Sequence, residues 1–322
     1  MSLPLVSILI TAYNAEPWIA ETLATATSQT YPDVQVIVVD DGSTDATLDI
    51  AREFSSSMVT VIAQENAGAC AARNRAFGAS QGELIQYLDA DDLLAPDKIE
   101  RQVERLATEP AGTVASGPWV RFHDVPPPPG ERPARLDWRD YDPASDWLVE
   151  SWALQNGMFA PFAWLTPRHL VKAAGPWRES LKRNQDGEFF ARVLSHARGI
   201  AFVEDAWGFY RSGIDGSVSA RRGRNVIQSV FDATALCARH IANLGDTPEI
   251  RRAQAALWER FAFEAYPLDR EIARRAASRA RALGGAGLQP GGGRAFRILC
   301  DLIGWRPSVL LQHSWYRVRY GR

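Results

Sequence analysis

The chain has 322 residues, a length that accommodates about two domains of ordinary size. Hydrophobic residues make up 46% and charged residues 23%, which excludes a disordered or collagen-like chain. The formal net charge of −2 argues against a general polyanion binder, so no nucleic-acid partner is expected.

Strand-like and helix-like segments alternate over the first hundred residues. Short runs rich in Val and Ile predict buried strands, and apolar residues three or four apart predict helices. Strands alternating with helices of about ten residues predict βαβ units and a mostly parallel, Rossmann-like sheet flanked by helices, an α/β fold. The predicted strands are 6–10, 34–39, 58–63 and 83–88, and the predicted helices are 17–29, 45–54, 69–80 and 96–106.

The rest of the chain is less regular until its helical C-terminal extension. Residues 123–146 contain four consecutive prolines and predict a surface loop, and residues 211–224 predict a mobile loop. Six of the ten residues in 284–293 are glycine, which indicates a linker, and a basic, aromatic tail follows over 294–322. The other predicted elements are a strand at 200–203 and helices at 167–174, 184–196, 226–244, 248–263 and 269–283.

Charge is unevenly distributed along the chain. Residues 251–322 contain 14 Arg, no Lys and five acids, a net charge of +9 that leaves −11 for residues 1–250. In the tail, aromatic residues and arginines interleave from Trp305 and Arg306 to Trp315, a composition suited to the interface of an anionic membrane. The alternative is that the tail packs on the preceding helices through apolar residues, namely Phe296, Leu299, Leu302 and Ile303.

Localisation follows from what the sequence lacks. No apolar stretch reaches the ~18 residues of a spanning helix, and the N-terminus lacks the basic region and cleavage site of a signal peptide. Cys70, Cys237 and Cys300 are too sparse for a disulfide framework, which indicates a reducing compartment. We therefore expect a cytoplasmic protein, located at the inner face of the cytoplasmic membrane if the tail makes the membrane contact rather than packing on the preceding helices.

Polar residues follow each of the first four predicted strands, where ligands bind in parallel α/β sheets. Asp89 and Asp91 are hard oxygen ligands that suit Mg²⁺ or Mn²⁺, although Asp91 or Asp92 would also serve as a helix cap. Asp41 is suited either to a nucleoside or to a local turn, and Tyr13 to stacking on a base or to the core boundary. Arg73 has two interpretations as well, a phosphate contact or an internal ion pair with a carboxylate of this rim.

Several enzyme classes are excluded by missing motifs. The Gly-x-Gly-x-x-Gly of dehydrogenases does not follow the first strand, and neither a phosphate-binding Gly-Lys-Ser/Thr nor a Gly-x-Ser-x-Gly elbow occurs. The five histidines are isolated, with no pair at zinc spacing. Two alternatives stay open: a nucleotide-sugar-binding protein without catalysis, and a sugar nucleotidyltransferase.

Four motifs occur at the four strand ends in this order: Thr-Ala-Tyr-Asn, Val-Asp-Asp-Gly-Ser, Asn-Ala-Gly followed by Ala-Arg-Asn, and Leu-Asp-Ala-Asp-Asp. Together, over residues 5–107, they resemble the family 2 nucleotide-sugar glycosyltransferases, which have the GT-A fold. The resemblance implies inverting transfer of a sugar from a nucleotide-diphospho-sugar, with a UDP-sugar favoured. It further implies a glycan or lipid-linked acceptor in bacterial surface polysaccharide synthesis and a Mn²⁺ or Mg²⁺ cofactor.

The resemblance also implies residue roles. Asp91 with Asp89 would hold the metal. Asp186 matches the catalytic base, although Gln185 stands where the family has Glu, and Glu188 is the fallback. Arg211 lies in a Tyr-Arg motif that continues to Ser217-Val218-Ser219, in a loop expected to cover the donor. The donor-binding positions would be Thr11, Tyr13, Asn14, Asp41, Asn66, Arg73, Asp89 and Ala90.

These expectations define five segments. Residues 1–110 form the nucleotide-sugar-binding half of a GT-A domain, and residues 111–222 form the acceptor-side half with the catalytic base. A helical extension at 223–283, the linker at 284–293 and the basic aromatic tail at 294–322 follow.

Overall fold

The computed structural model of the chain describes residues 3–128, 135–153, 160–214 and 223–320. The chain divides into two units. The first contains Met1–Trp147, Met158–Ser180 and Gln185–Asp215, and the second contains Leu148–Gly157, Leu181–Asn184 and Gly216–Arg322.

A seven-stranded sheet forms the centre of the first unit, in the order β3-β2-β1-β4-β8-β6-β9. Strands β1 to β4 run parallel, β8 is antiparallel to both its neighbours, and β6 and β9 are parallel to each other. This mostly parallel sheet confirms the predicted α/β class. The strands are β1 (Val6–Ala12), β2 (Val34–Asp40), β3 (Val59–Ala63), β4 (Leu84–Asp89), β6 (Val114–Ser116), β8 (Leu165–Pro167) and β9 (Ile200–Phe202).

Helices lie between the strands as the alternating pattern predicted. Successive residues of β1 and β2, such as Ile8, Leu9 and Ile10, are at most 1% exposed. Neighbouring side chains of a strand point to opposite faces, so both faces of the sheet are covered. The helices up to the end of the first unit are α1 (Ile19–Thr27), α2 (Thr47–Glu53), α3 (Ala69–Ala79), α4 (Lys98–Ala107), α5 (Ser145–Ala153), α6 (Arg168–Ala174) and α7 (Gln185–His196).

A second sheet of three short strands was not predicted. It contains β5 (Leu93–Leu94), β7 (Trp119–Phe122) and β10 (Gly208–Arg211), with β10 in the centre. Strands of two to four residues are too short for a periodicity signal. Apolar residues of these strands and their flanks form a small core of their own, made of Leu93, Ala95, Phe122, Trp207 and Phe209.

The prediction of a surface loop over 123–146 is wrong in its second half. Residues 129–134 lie outside the described chain. Beyond them, Tyr141 forms an isolated antiparallel bridge with Ile200, and Asp137 is only 2% exposed and pairs with Arg135. Ser145 then begins α5.

The second unit is helical, and its three predicted long helices are confirmed. The small side chains of Ala273, Ala276 and Ala280 form the buried face of α10, which packs with α9. Asp269 caps α10 by accepting hydrogen bonds from the Glu271 and Ile272 amides. The helices are α8 (Arg224–Ala242), α9 (Pro248–Ala265), α10 (Arg270–Ala282), α11 (Arg294–Ile303) and α12 (Trp305–Tyr320).

The glycine-rich segment 284–293 contains no helix or strand, and its backbone is fixed to α9. The Glu259 carboxylate accepts hydrogen bonds from the amides of Ala286 (2.9 Å) and Leu288 (2.8 Å). Beyond this segment, Trp305 packs edge-on against Phe263 and Tyr266, with ring centroids 4.9 and 5.2 Å apart.

The tail packs with a different set of side chains from the one predicted. Cys300, Ser308 and Val309 are buried, whereas Leu302 is 76% and Ile303 46% exposed. The expected packing of Leu302 and Ile303 on the preceding helices is therefore wrong. Among the described residues, no helix is both long and apolar enough to cross a membrane.

Gly208 allows β10 to pass close to the main core, and replacing it should destabilise the first unit. A Cβ atom at Gly208 would overlap the Phe162 ring. We expect Gly208→Ala to cost about 1–3 kcal/mol of unfolding free energy, measured by chemical denaturation, because overpacking shifts neighbouring groups. Gly78→Ala in α3 is the control, since its Cβ meets no atom within 4 Å and Ala favours helix. Equal stabilities for the two variants would contradict this account of β10.

Candidate active site

The register of the parallel strands brings the predicted polar strand ends to one edge of the sheet. Thr11 lies beside Asp89 of β4, and Ala12 lies beside Asp40 of β2. Asp40 is in turn level with Ala63 at the end of β3. Side chains that follow four separate strands therefore surround one rim.

Asn14 joins the loops that follow β1 and β2. It adopts a left-handed conformation with φ of 49°, which Asn tolerates better than most residues. Its side-chain Oδ1 accepts a hydrogen bond from the backbone amide of Thr44 (2.8 Å), and its backbone amide donates to Ser43 Oγ (3.0 Å). Beside it, the Tyr13 side chain is 46% exposed, which leaves the ring accessible at the rim.

Asp41 holds the loop that follows β3. Its Oδ1 accepts hydrogen bonds from Gln64 Nε2 (2.7 Å) and the Ala67 amide (2.8 Å), and its Oδ2 accepts one from the Gly68 amide (2.9 Å). Asn66 Nδ2 donates to the Asp41 carbonyl (2.9 Å). The expected local turn is made instead by Asp40, whose Oδ2 accepts from the Ser43 amide.

Arg73 of α3 lies at the centre of the site, with its side chain 7% exposed. Its Nη2 is 2.7 Å from Asp89 Oδ1, and its Nη1 is 3.5 Å from Asp186 Oδ1. Nη1 also donates to Gln185 Oε1 at 3.1 Å. Of the two interpretations of Arg73, the structure shows the internal ion pair. One guanidinium thus connects the end of β4 with the first turn of α7.

The indole ring of Trp177 packs against the Arg73 guanidinium, a contact that the sequence analysis did not predict. The Arg73 guanidinium lies 4.5 Å from the centroid of the indole ring, within cation–π range. Trp177 is stacked on Phe189 of α7, with centroids 3.9 Å apart. Asn74 fixes the Trp177 backbone by accepting from its amide (2.8 Å) and donating to its carbonyl (3.0 Å). The signal for this contact in the sequence was Asn74, which directly follows Arg73 in the Ala-Arg-Asn motif.

Asp186 and Glu188 lie in the same turn of α7 but in different environments. Burial raises the pKa of Asp186 to about 6, with Arg73 opposing the rise and the charge of Asp89 adding to it. The Asp186 side chain is nevertheless 33% exposed. Glu188 is fully buried and its carboxylate is held by Arg192 (2.9 Å) and Arg178 (2.8 Å).

Asp91 and Asp92 do not cap the following helix, contrary to the capping interpretation. The N-cap of α4 is Asp97, and Asp92 Oδ1 accepts a hydrogen bond from the Arg211 amide (2.9 Å). Burial and, to a smaller extent, the negative charge of Asp89 raise the pKa of Asp91 to about 7. Ala90, between the acids, accepts a hydrogen bond at its carbonyl from Thr22 Oγ1 (2.9 Å).

Arg211 closes the other side of the acidic turn from the end of β10. Its Nε donates to the Asp91 carbonyl (3.0 Å) and its Nη1 to the His123 carbonyl (3.2 Å), and it pairs with Glu21 of α1. His123 is exposed, and its ring lies 3.0 Å from the Ser212 carbonyl. The continuation of the predicted motif, Ser217 to Ser219, lies outside the described residues.

Residues 7–153 match the family model described as Glycosyl transferase family 2. EpsH of Bacillus subtilis is 32% identical over 218 residues, which are 66% of this chain and 62% of EpsH. WfaP of Escherichia coli, named UDP-Glc:alpha-D-GlcNAc-diphosphoundecaprenol beta-1,3-glucosyltransferase, is 41% identical over 106 residues, 33% of this chain and 42% of WfaP. The chain therefore spans less than two thirds of the length of these relatives.

Two solved structures resemble the fold. S. aureus TarS 1-349 in complex with UDP-GlcNAc matches with a TM-score of 0.69 at 18% identity, over 99% of this chain and 93% of that one. The mannosyltransferase PcManGT of Pyrobaculum calidifontis, in complex with GDP-Man and Mn²⁺, matches with a TM-score of 0.55 at 19% identity, over 100% and 89%. The family match, the relatives and the shared fold agree with the motifs at the strand ends, and together they support a family 2 glycosyltransferase.

Proposed function

We propose that this chain is an inverting glycosyltransferase that moves a sugar from a nucleotide-diphospho-sugar to an acceptor hydroxyl. The observation that carries the proposal is the position of buried Arg73 between Asp89, at the end of β4, and Asp186, at the start of α7. The family match indicates the class of reaction. The geometry places the carboxylates of Asp89 and Asp186 within reach of one guanidinium, and we assign Asp89 to the donor side.

Inversion requires one displacement at the anomeric carbon, so the acceptor hydroxyl attacks opposite the leaving diphosphate. The hydroxyl must lose its proton as it attacks, and a carboxylate is a suitable base. The diphosphate leaves as an anion and needs no acid. A single carboxylate on the acceptor side of the anomeric carbon is therefore sufficient.

Asp186 is better suited than Glu188 to be this base. Its Oδ1 is buried beside Arg73, but its side chain as a whole is one third exposed. Its pKa of about 6 makes it a stronger base than an ordinary Asp while it stays ionised at neutral pH. Glu188 is fully buried between two arginines, so a substrate could reach it only by breaking two ion pairs. We assign Glu188 to the support of α7.

The variant Asp186→Asn tests the base. It keeps the shape of the side chain and removes its basicity, so we expect kcat to fall by about 10²-fold or more, a typical contribution of general-base catalysis. Donor affinity should change little. Nucleoside diphosphate release measures the rate, and calorimetry measures donor binding. Asp49→Asn, at an acid of α2 whose side chain is 82% exposed, is the matched control.

The pH profile separates a base from a structural carboxylate. Because Asp186 must be ionised and its pKa is about 6, kcat/KM should fall tenfold per unit below pH 6 and level off above it. The residual rate of the Asn variant should lack this step. A variant that loses donor binding but keeps its turnover would place Asp186 on the donor side instead.

We further propose a divalent cation, Mn²⁺ or Mg²⁺, held by Asp91 together with Asp89. The residues fit such an ion because the Asp91 carboxylate is half-buried next to Asp89, and it has no ion-pair partner in the described chain. No group of three or more His, Cys, Asp or Glu is placed to hold a metal in the described ranges, so water and diphosphate oxygens would complete the ligand set. When bound, such a cation neutralises the charge of the diphosphate leaving group.

Removal of the cation or of Asp91 tests this site. We expect Asp91→Ala to abolish turnover and EDTA to do the same to the native enzyme, with recovery on addition of Mn²⁺ or Mg²⁺. Asp205→Ala, at an acid 66% exposed elsewhere in the first unit, should behave as the native enzyme does. Full activity in EDTA without added metal would refute the cation.

For the donor we propose a UDP-sugar and for the acceptor a glycan or lipid-linked sugar of bacterial polysaccharide synthesis. TarS binds UDP-GlcNAc, and the name of WfaP gives UDP-Glc as donor and a diphosphoundecaprenol-linked GlcNAc as acceptor. The half-exposed Tyr13 ring is available to stack on the base. The other donor-side positions are Thr11, Asn14, Asp41, Asn66, Arg73, Asp89 and Ala90, with Arg211 behind the acidic turn.

A lipid-linked acceptor would require a protein that works at the inner face of the cytoplasmic membrane. The helices of the tail expose large apolar side chains to solvent. Large exposed apolar patches mark sites of contact with other proteins or with a membrane. We propose that this face, called the apolar tail face below, makes the peripheral membrane contact. It consists of Ile298, Leu302, Ile303, Leu311, Trp315 and Tyr316, each 46 to 76% exposed.

Two exposed side chains test the contact without removing packed parts of the tail. Leu302→Ser with Leu311→Ser should weaken sedimentation with anionic vesicles by about tenfold or more, since burial of one large apolar side chain contributes roughly 1.5–3 kcal/mol. The melting temperature should be unchanged because both are exposed. Val125→Ser with Leu136→Ser, at exposed apolar residues of the first unit, is the control. Equal vesicle binding by the two double variants would exclude the apolar tail face.

A further inference from the structure

A pocket of about 450 Å³ opens on the second unit, and four arginines dominate its lining. Three of them, Arg274, Arg275 and Arg281, belong to α10, and Arg306 belongs to the first turn of α12. The other polar residues of the lining are Ser278 and Glu271. We call this feature the arginine pocket.

The sequence of α10 places these side chains together. Arg274, Ser278 and Arg281 are four and seven residues apart, so they follow one another along one face of the helix. The alanines of the opposite face are buried in the helical core. The helix therefore packs through small side chains and presents its long cationic ones to the pocket.

The positive charge of the pocket is not neutralised by the described part of the chain. All four arginines are exposed and none forms an ion pair there, not even with Glu271 on the same helix. Nearby acids have other partners: Asp269 caps α10, Glu259 binds amides of the 284–293 segment, and Glu264 pairs with Arg183. The only carboxylate in the lining is Glu271.

Neutral contacts hold two of the guanidinium groups in place. Arg275 lies 4.7 Å from the centroid of the Phe231 ring, and Arg306 lies 5.3 Å from that of Trp305. Arg279 also lies on Phe231, at 4.8 Å, which adds another positive charge next to Arg275. Cation–π contacts orient a guanidinium but leave its charge intact. Like charges in one pocket repel one another, and a bound anion would reduce that repulsion.

The chemistry of the lining specifies that anion. A guanidinium is a planar fork of donors that matches the oxygens of a phosphate, and four of them suit a phosphate or diphosphate better than a single carboxylate. Ser278 offers a hydroxyl donor. The volume of about 450 Å³ lies within the range of sites for small ligands. The lining includes no aromatic ring on which a nucleobase would stack.

The choice of a lipid as the source of the phosphate rests on the helix that Arg306 shares with part of the apolar tail face. Arg306 begins the helix that carries Leu311, Trp315 and Tyr316 of the apolar tail face. A phosphate-bearing lipid has a phosphate that would bind in the arginine pocket and acyl or prenyl chains that would contact the apolar tail face. A free phosphate compound would use the pocket alone.

We propose that the arginine pocket is a binding site for the phosphate headgroup of an anionic lipid. The pocket itself is independent of the proposed glycosyl transfer, and only the lipid source of the phosphate rests on the membrane contact proposed above. The site would anchor the second unit to a phosphate-bearing lipid by charge-assisted hydrogen bonds from Arg274, Arg281 and Arg306.

Vesicle sedimentation of the full chain tests the site. The probes are vesicles of phosphatidylcholine alone and of phosphatidylcholine with phosphatidylglycerol, at low and high salt. We expect Arg274→Gln with Arg281→Gln to weaken binding to the anionic vesicles by about tenfold or more, and salt to weaken binding of the native chain. The control is Arg239→Gln with Arg252→Gln, which removes the same charge from exposed positions of α8 and α9.

The control and a soluble probe make each outcome decisive. If both double variants lose binding equally, overall charge is responsible and the pocket is refuted. If pyrophosphate binds the native chain in calorimetry and vesicles do not distinguish the variants, the lipid assignment is refuted. A large loss confined to the pocket variant, at an unchanged melting temperature, supports the proposal. These readouts need no sugar donor, so failure of the transferase assay would leave them intact.

Discussion

The candidate active site depends on the buried charge of Arg73. Burial of a guanidinium is costly unless charges and hydrogen bonds compensate it, and here Asp89, Gln185 and the face of Trp177 do so together. The same contacts fix the end of β4 relative to the first turn of α7. The two carboxylates on either side of Arg73 therefore keep their separation without any ligand, a form of preorganisation that catalysis by positioned groups needs.

The rim shows why polar residues at strand ends have two roles. A loop that leaves a buried sheet carries backbone N–H groups that need acceptors. Asp41 meets this need for the Ala67 and Gly68 amides, and Asn14 meets it for Thr44. The rim is therefore shaped before any nucleotide arrives. The local-turn interpretation and the donor interpretation of these residues are compatible, because the carboxylate that fixes a loop also determines the form of the pocket beside it.

The second unit is rich in arginine, and it exposes both a cationic pocket and large apolar side chains. Three of its acids serve a helix cap, the amides of the 284–293 segment and Arg183. The arginines that α10 contributes to the arginine pocket form no ion pair in the described chain. Arg306 of the arginine pocket and part of the apolar tail face belong to the same helix, α12. Charge and apolar exposure are the two properties that a membrane interface rewards.

The short second sheet shows where sequence reasoning failed. Its strands have two to four residues, and their pairing depends on partners about ninety or more positions away, such as Phe209 with Val120 and with Leu93. Gly208 is required there by the nearby ring of Phe162, which no local pattern indicates. Lys98 is a comparable case, since a lysine in an amphipathic helix is expected at the surface but here is buried between Gln86 and Gln102.

Sequence patterns were enough to predict the alternating strands and helices of the first hundred residues and the long helices after residue 223, because hydrophobic periodicity is a local property. They also predicted that four polar strand ends share one edge, since parallel strands must end on the same side of a sheet. The packing of distant elements, by contrast, is what joins Asp89 to Asp186 through Arg73, encloses Glu188 between arginines and exposes Leu302 to solvent. Such pairings depend on how distant elements pack, and a side chain's partner is not encoded in the spacing of its neighbours.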